Sequence, residues 1–88
     1  MTQPPSLTQI ADRLRNLLSG ALGRREASAW ASRWLTADDP GIHDDVAWQA
    51  LERIGGADLP GAETAYLFNE ADFHVWLDEV EDEIDARG

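Results

Sequence analysis

The helical spacing of large apolar residues restricts the fold of this chain more than any other feature. In four separate segments such residues recur every three or four positions, as at Leu7, Ile10 and Leu14 near the start and at Phe73 and Trp76 near the end. This period predicts amphipathic helices, each with one face to bury, and no segment alternates as a strand does. We therefore predict an all-α protein, a compact four-helix bundle in a single domain.

Capping residues and glycines divide the chain into these helices. Ser6 and Asn69 are predicted to begin the first and last helices, and either Asp44 or Asp45 to begin the third. The second helix starts near Gly23. An alternative is a three-helix core in which the first two segments form one bent helix, but the glycines between residues 19 and 24 favour four helices. The domain is predicted to span residues 1–88, with a flexible start at 1–5 and a frayed end at 86–88.

Two of the predicted buried faces combine small and large side chains. The second helix is predicted to bury Ala27, Trp30, Ala31, Trp34 and Leu35, while its arginines and Ser28 point elsewhere. The third is predicted to bury Ala47, Trp48, Leu51 and Ile54. In a chain of 88 residues the four tryptophans are expected to be mostly structural.

Charge is distributed unevenly along the chain. The net charge is -10, yet residues 1–36 carry five arginines and only two acidic residues, whereas residues 37–88 carry two arginines and fifteen acidic residues. A chain this acidic is predicted not to bind nucleic acid directly or to bind anionic membranes, because both attract cationic side chains. The concentration of carboxylates favours a surface for a basic protein partner.

No pattern of catalytic or cofactor-binding residues is present, so we predict a protein that is not an enzyme and has no cofactor. There is no cysteine, no glycine-rich phosphate loop and no His-Glu-x-x-His sequence. The densest group is Asp38, Asp39, His43, Asp44 and Asp45. Its spacing does not fit a calcium loop, and helix capping explains it better than a metal site.

The absence of a signal peptide or a long apolar run predicts a cytoplasmic location. Oligomeric state stays open.

The connection before the last helix contains the candidate binding residues. Tyr66 and Phe68 lie close in sequence to Glu63, Glu70 and Asp72. Aromatic side chains surrounded by carboxylates are typical of a site that binds a cationic partner.

Several segments are similar to a group of short acidic bacterial proteins whose helical layout resembles that of immunity proteins of the colicin D and contact-dependent inhibition types. These segments are residues 25–34 (REASAWASRW), 38–40 (DDP), 48–51 (WQAL), 56–59 (GADL), 66–68 (YLF), 72–73 (DF) and 76–77 (WL). The resemblance implies an inhibitor that covers the cationic active site of a nuclease toxin. Asp78, Glu79 and Asp82 would then join the residues above in taking the positions of phosphates.

Two other functions stay open at this point. One is a DNA mimic or regulatory adaptor that acts on a nucleic-acid-binding protein. The other is a small accessory protein whose binding does not depend on charge.

Overall fold

Four α-helices account for most of the chain. The computed structural model describes residues 4–38, 41–62 and 65–88. Its helices are α1 (Leu7–Ser19), α2 (Arg24–Leu35), α3 (Asp45–Gly55) and α4 (Glu70–Arg87), and the described residues contain no strand. The predicted all-α four-helix fold is confirmed. The single bent helix is not formed, because Gly20 takes a left-handed conformation (φ 85°) that ends α1 before α2 begins.

The helix starts are held by the predicted caps. The Ser6 hydroxyl accepts a hydrogen bond from the Gln9 backbone N–H, and the Gln9 side chain accepts one from the Ser6 N–H. Asn69 and Asp72 form the same reciprocal pair at the start of α4. The Asp44 carboxylate accepts from two backbone N–H groups of α3. These local bonds decide where α1, α3 and α4 begin, whereas α2 follows Gly23 and has no side-chain cap. At the other end, α4 continues to Arg87, into the segment that the sequence predicts to fray.

The bundle consists of two helix pairs. α1 packs mainly on α4, and α2 packs mainly on α3. The pairs meet through contacts of α3 with α1 and α4 and of α1 with α2, whereas the backbones of α2 and α4 lie diagonally opposite and these two helices meet where Arg24 lies over the Phe73 ring. The largest fully buried side chains are Ile10, Leu14, Leu51, Ile54, Phe73 and Val80. The outer faces of α2 and α4 therefore point to opposite sides of the molecule.

Two predicted orientations are wrong. Trp48 is only half-buried, and Ala50 takes its place on the buried face of α3. At 100° per residue, Trp48 falls on the flank of the face formed by Ala47, Leu51 and Ile54. On α2, Ser28 is buried and its hydroxyl donates to the backbone oxygen of Gly55 over 2.7 Å. A small hydroxyl fits there because α2 and α3 lie close together.

The connection between α3 and α4 is tied to the bundle by Arg24. Its guanidinium donates to the backbone oxygens of Ala57 and Phe68 over 2.9 and 2.7 Å. The Phe68 ring meets Trp76 edge-on, with 5.0 Å between ring centroids. Through Phe68 the connection thus packs against the core. Within the described ranges, no helix is both long enough and apolar enough to cross a membrane.

Candidate functional site

The two aromatic residues predicted as anchors differ in their surroundings. Phe68 is half-buried and packs against the core. Tyr66 keeps 44% of its surface exposed, and the Arg24 guanidinium lies over its ring at 4.1 Å. Both rings therefore contact the fold itself, and Tyr66 keeps the larger exposed area.

The acidic residues predicted to bind a partner do not form one uniform cluster. Glu70, Asp78 and Asp82 are exposed on α4. Asp72 accepts a hydrogen bond within its helix cap, and Glu79 forms an ion pair with Arg53. Glu63 lies outside the described residues, as does Asp39 of the acidic loop. The set of partner-binding residues therefore stays a prediction. Three of its carboxylates, those of Glu70, Asp78 and Asp82, are exposed on α4.

Three arginines form ion pairs with carboxylates at the surface of the bundle. Arg15 on α1 pairs with Asp12 at 2.8 Å and with Glu81 of α4 at 3.0 Å. Arg53 of α3 pairs with Glu79 of α4. Arg87 at the end of α4 pairs with Glu83 and with Asp44 at the start of α3. Between helices these pairs join α4 to α1 and α3, and an outside anion would have to compete with these carboxylates for the three arginines.

The pairing of Asp44 and Arg87 changes the acidity of both groups. The hydrogen bond from Arg87 lowers the pKa of the Asp44 carboxyl, and the backbone N–H groups of Ala47 and Val46 act in the same direction. Hydrogen bonds to Asp44 and then to Glu83 raise the pKa of Arg87. Asp44 is therefore a helix cap in an ion pair. In the described parts of the chain, no three His, Asp or Glu side chains are grouped as metal ligands.

Three other arginines, on α1 and α2, form a cationic surface on the side of the molecule away from the acidic face of α4. None of Arg13, Arg25 and Arg33 forms an ion pair with a carboxylate of the described residues. Arg25 and Arg33 are exposed on the outer face of α2, and the Arg13 guanidinium of α1 lies 4.8 Å from the centre of the Trp30 ring. We call these three residues the arginine surface. Its acidic neighbours are Glu26 in the first turn of α2, Asp58 beside Arg25, and, beside Arg13, Asp12, which is paired with Arg15.

Two cavities border the stack of Arg13 on Trp30. One, of about 390 Å³, contains both Arg13 and Arg33 in its wall. The other, of about 360 Å³, lies between α1 and α2 and is lined by Pro5, Gln9, Asp12, Arg13, Asn16, Trp30 and Trp34. The Trp34 Nε1–H on this side is buried and has no hydrogen-bond acceptor among the described residues. The arrangement can present positive charge, aromatic faces and amide groups to one ligand.

Comparison with known proteins shows to which family this chain belongs. Residues 2–80 match the family described as YxzC DNA-binding protein. The chain belongs to this family. It is also similar to an uncharacterized protein YxzC of Bacillus subtilis (strain 168), with 32% identity over 72 residues that make up 82% of this chain. The chain spans about 59% of the length of that relative. No solved structure matches the chain.

Membership in this YxzC family corrects three predictions. The resemblance to immunity proteins is wrong, since the family that matches nearly the whole chain is a different one. The predicted function as a toxin inhibitor and the predicted basic toxin partner are therefore wrong as well. The exclusion of nucleic acid is contradicted by the description of the family. That exclusion used the net charge, which averages over the molecule and hides a local cationic face. The family description names no enzymatic reaction.

The sequence analysis did not recognise the arginine surface as a site. A signal was available, because five of the seven arginines lie in residues 1–36. The spacing along the chain shows the pair of Arg15 with Asp12 within α1, but the pairs between helices depend on how α1, α3 and α4 meet.

Proposed function

We propose that this protein is a non-catalytic, cytoplasmic DNA-binding regulator that contacts the phosphate backbone through its arginine surface. The observation that carries the proposal is the separation of the arginines into two groups. Arg15, Arg53 and Arg87 pair with carboxylates, whereas Arg13 and Arg33 have no such partner among the described residues. The family, described as DNA-binding, supplies the class of ligand.

Guanidinium groups suit this role because they form paired hydrogen bonds with phosphate oxygens and are always charged. Arg25 and Arg33 are eight residues apart on α2, which puts them about 12 Å apart along the helix axis and about 80° apart around it. Arg13 lines the same cavity as Arg33. The three charges are thus spread over a length that spans two successive phosphates of one strand.

The acidic face of α4 does not prevent such binding. Because α2 and α4 are diagonal, their outer faces lie on opposite sides of a molecule whose smallest dimension is 21 Å. At physiological ionic strength, exposed charges are screened over about 8 Å. The carboxylates of α4 therefore act weakly at the arginine surface, and they disfavour contact with DNA through any other face.

The exposed acidic residues offer a second surface to such a regulator. Glu70, Asp78 and Asp82 have no partner in the described parts of the chain and face away from the arginine surface. We keep them as the predicted protein-contact residues of a regulatory adaptor, which leaves the arginine surface accessible to DNA.

The test compares two triple variants with the same net charge. R13Q/R25Q/R33Q removes the arginine surface, and the control R15Q/R53Q/R87Q removes the paired arginines. Binding of a labelled 20-base-pair duplex is measured by fluorescence anisotropy at about 50 mM salt. We expect at least a tenfold loss of affinity for the first variant and about threefold or less for the control. Equal losses, or no binding by the unaltered protein, would reject the proposal. Circular dichroism confirms folding of both variants.

A further inference from the structure

The groove between α1 and α2 has the composition of a site for a nucleic acid base. Trp30 and Trp34 form its aromatic side, and Gln9 and Asn16 contribute amides. We call the cavity lined by these residues the indole groove. We propose, on the basis of the DNA-binding function above, that the indole groove accepts one unpaired DNA base, so that the protein prefers single-stranded DNA to duplex DNA.

The two indoles pack against the core with part of their surface and leave the rest exposed on this side. Ala27 and Ala31 are fully buried against α3, whereas Trp30 and Trp34 are only half-buried. Large aromatic side chains that line an open groove provide surfaces on which any base can stack. The Trp34 Nε1–H is buried without an acceptor among the described residues, a costly state for a polar group, so the groove offers a base the ring surface of Trp34 and not this donor.

The size and the polar groups of the groove also fit a base. Its volume of about 360 Å³ is at the lower end of the range for small-molecule sites. The Gln9 amide oxygen is engaged by the Ser6 N–H, which leaves its NH₂ group as a donor. The Asn16 side chain forms no hydrogen bond with the described residues and has both a donor and an acceptor. Amides of this kind pair with base edges that are free in single strands.

Charge complementarity sets the orientation of the strand. The stack of Arg13 on Trp30 separates the indole groove from the cavity that contains Arg33. With a base in the groove, we expect the phosphate attached to it to lie beside Arg13 and Arg33, because the other charged group in the groove wall, Asp12, is paired with Arg15. In a duplex the faces of each base are covered by its neighbours, so only the phosphate contacts remain.

Three probes with twelve units in each strand test the proposal on the unaltered protein. They are single-stranded dT12, an abasic strand with the same phosphates and sugars but no bases, and a 12-base-pair duplex. We expect dT12 to bind about tenfold more tightly than the abasic strand and the duplex, from stacking of a base. Equal affinity for dT12 and the abasic strand would overturn the inference. If the duplex still binds, the proposed function stands, whereas binding of none of the three probes rejects the proposed function itself.

A matched pair of variants locates the site. W34L removes an indole that lines only the indole groove, and W48L removes a half-buried indole of α3 outside both cavities. We expect W34L to lose the preference for dT12 with an unchanged affinity for the duplex, and W48L to keep it. Persistence of the preference in folded W34L would overturn the inference. As a measurement without variants, photocrosslinking of dT12 containing 5-bromodeoxyuridine should modify Trp30 or Trp34, and modification of Trp48 or Trp76 alone would contradict it.

Discussion

At the scale of single residues, Arg24 makes more contacts than its position in the sequence indicates. Its guanidinium donates to two backbone oxygens of the connection between α3 and α4 and lies over the rings of Tyr66 and Phe73, at 4.1 and 4.8 Å. These oxygens follow the end of α3 or precede α4, where no helical N–H reaches them. One planar cation thus holds a long connection against the bundle.

We expect Arg24→Ala to lower the free energy of unfolding by about 2 to 3 kcal/mol, because two charge-assisted hydrogen bonds and the ring contacts are lost. Arg24→Lys should recover only part of this, since an ammonium group lacks the planar fork. The control is Arg25→Ala, which is exposed and should change stability by about 0.5 kcal/mol or less. Urea denaturation measures all three, and equal effects of the two alanine variants would contradict the role of Arg24.

Asp44 provides a pH-dependent contribution to stability. Its carboxyl has a pKa below the ordinary 3.8, so the folded protein favours the charged form more than the unfolded chain does. The stabilisation is therefore present above the unfolded value and is lost as the pH falls below about 4.

Asp44→Asn should show this dependence, since Asn also caps helices but carries no charge. We expect the difference in unfolding free energy between the natural protein and the variant to be largest at neutral pH and to shrink as the pH is lowered towards about 3. Urea denaturation at several pH values measures it. A difference that stays constant over this range would show that the ion pair with Arg87 does not stabilise the fold.

At the scale of elements, α2 depends on small side chains for its packing. Ala27, Ser28 and Ala31 are buried on the side of α3, and a Cβ atom on Gly55 would lie 2.8 Å from Leu35 Cδ1. This close approach decides which residues of α2 enter the core. It turns the indoles of the helix towards α1, where they line the groove.

Ala31→Leu should destabilise the fold by about 1 to 3 kcal/mol, because three added carbon atoms have no space between α2 and α3. Ala29→Leu is the matched control on the exposed face of the same helix and should be nearly neutral. Thermal unfolding followed by circular dichroism compares them. Equal melting temperatures would show that α2 and α3 can separate without cost.

At the scale of the whole molecule, charge is separated by the bundle itself. The diagonal placement of α2 and α4 puts the unpaired guanidinium groups of α2 and the unpaired carboxylates of α4 on opposite sides, while Glu26 and Asp58 lie close to Arg25. A net charge of -10 therefore coexists with a cationic face. The molecule is expected to bind a polyanion in one orientation only.

The salt dependence of DNA binding reports how many phosphates this face contacts. For three contacts, the logarithm of the association constant should fall with the logarithm of the salt concentration with a slope of about -3. Arg33→Gln should reduce the slope by about 1, and Arg53→Gln, which removes a paired arginine, should leave it unchanged. A slope near zero for the natural protein would mean that binding does not use the phosphates.

Much of the architecture could be predicted from local patterns. The period of apolar residues predicts α1 and α4, and the caps at Ser6, Asp44 and Asn69 lie where the sequence places them. Each of these features depends on atoms within one or two turns of a helix. The positions of Trp48 and Ser28 were not predictable in this way, because the choice between the centre and the flank of a helix face depends on the neighbouring helix.

By itself the sequence determined that the chain forms four helices, where each begins, and that it carries excess negative charge. Only the tertiary structure decided which arginines stay free, since Arg15, Arg53 and Arg87 find carboxylates on other helices while Arg25 and Arg33 face outward. The physical reason is the separation along the chain over which each interaction acts. Periodicity and capping act within a helix, whereas an ion pair needs two side chains to come within about 4 Å, and the packing of the bundle sets that distance.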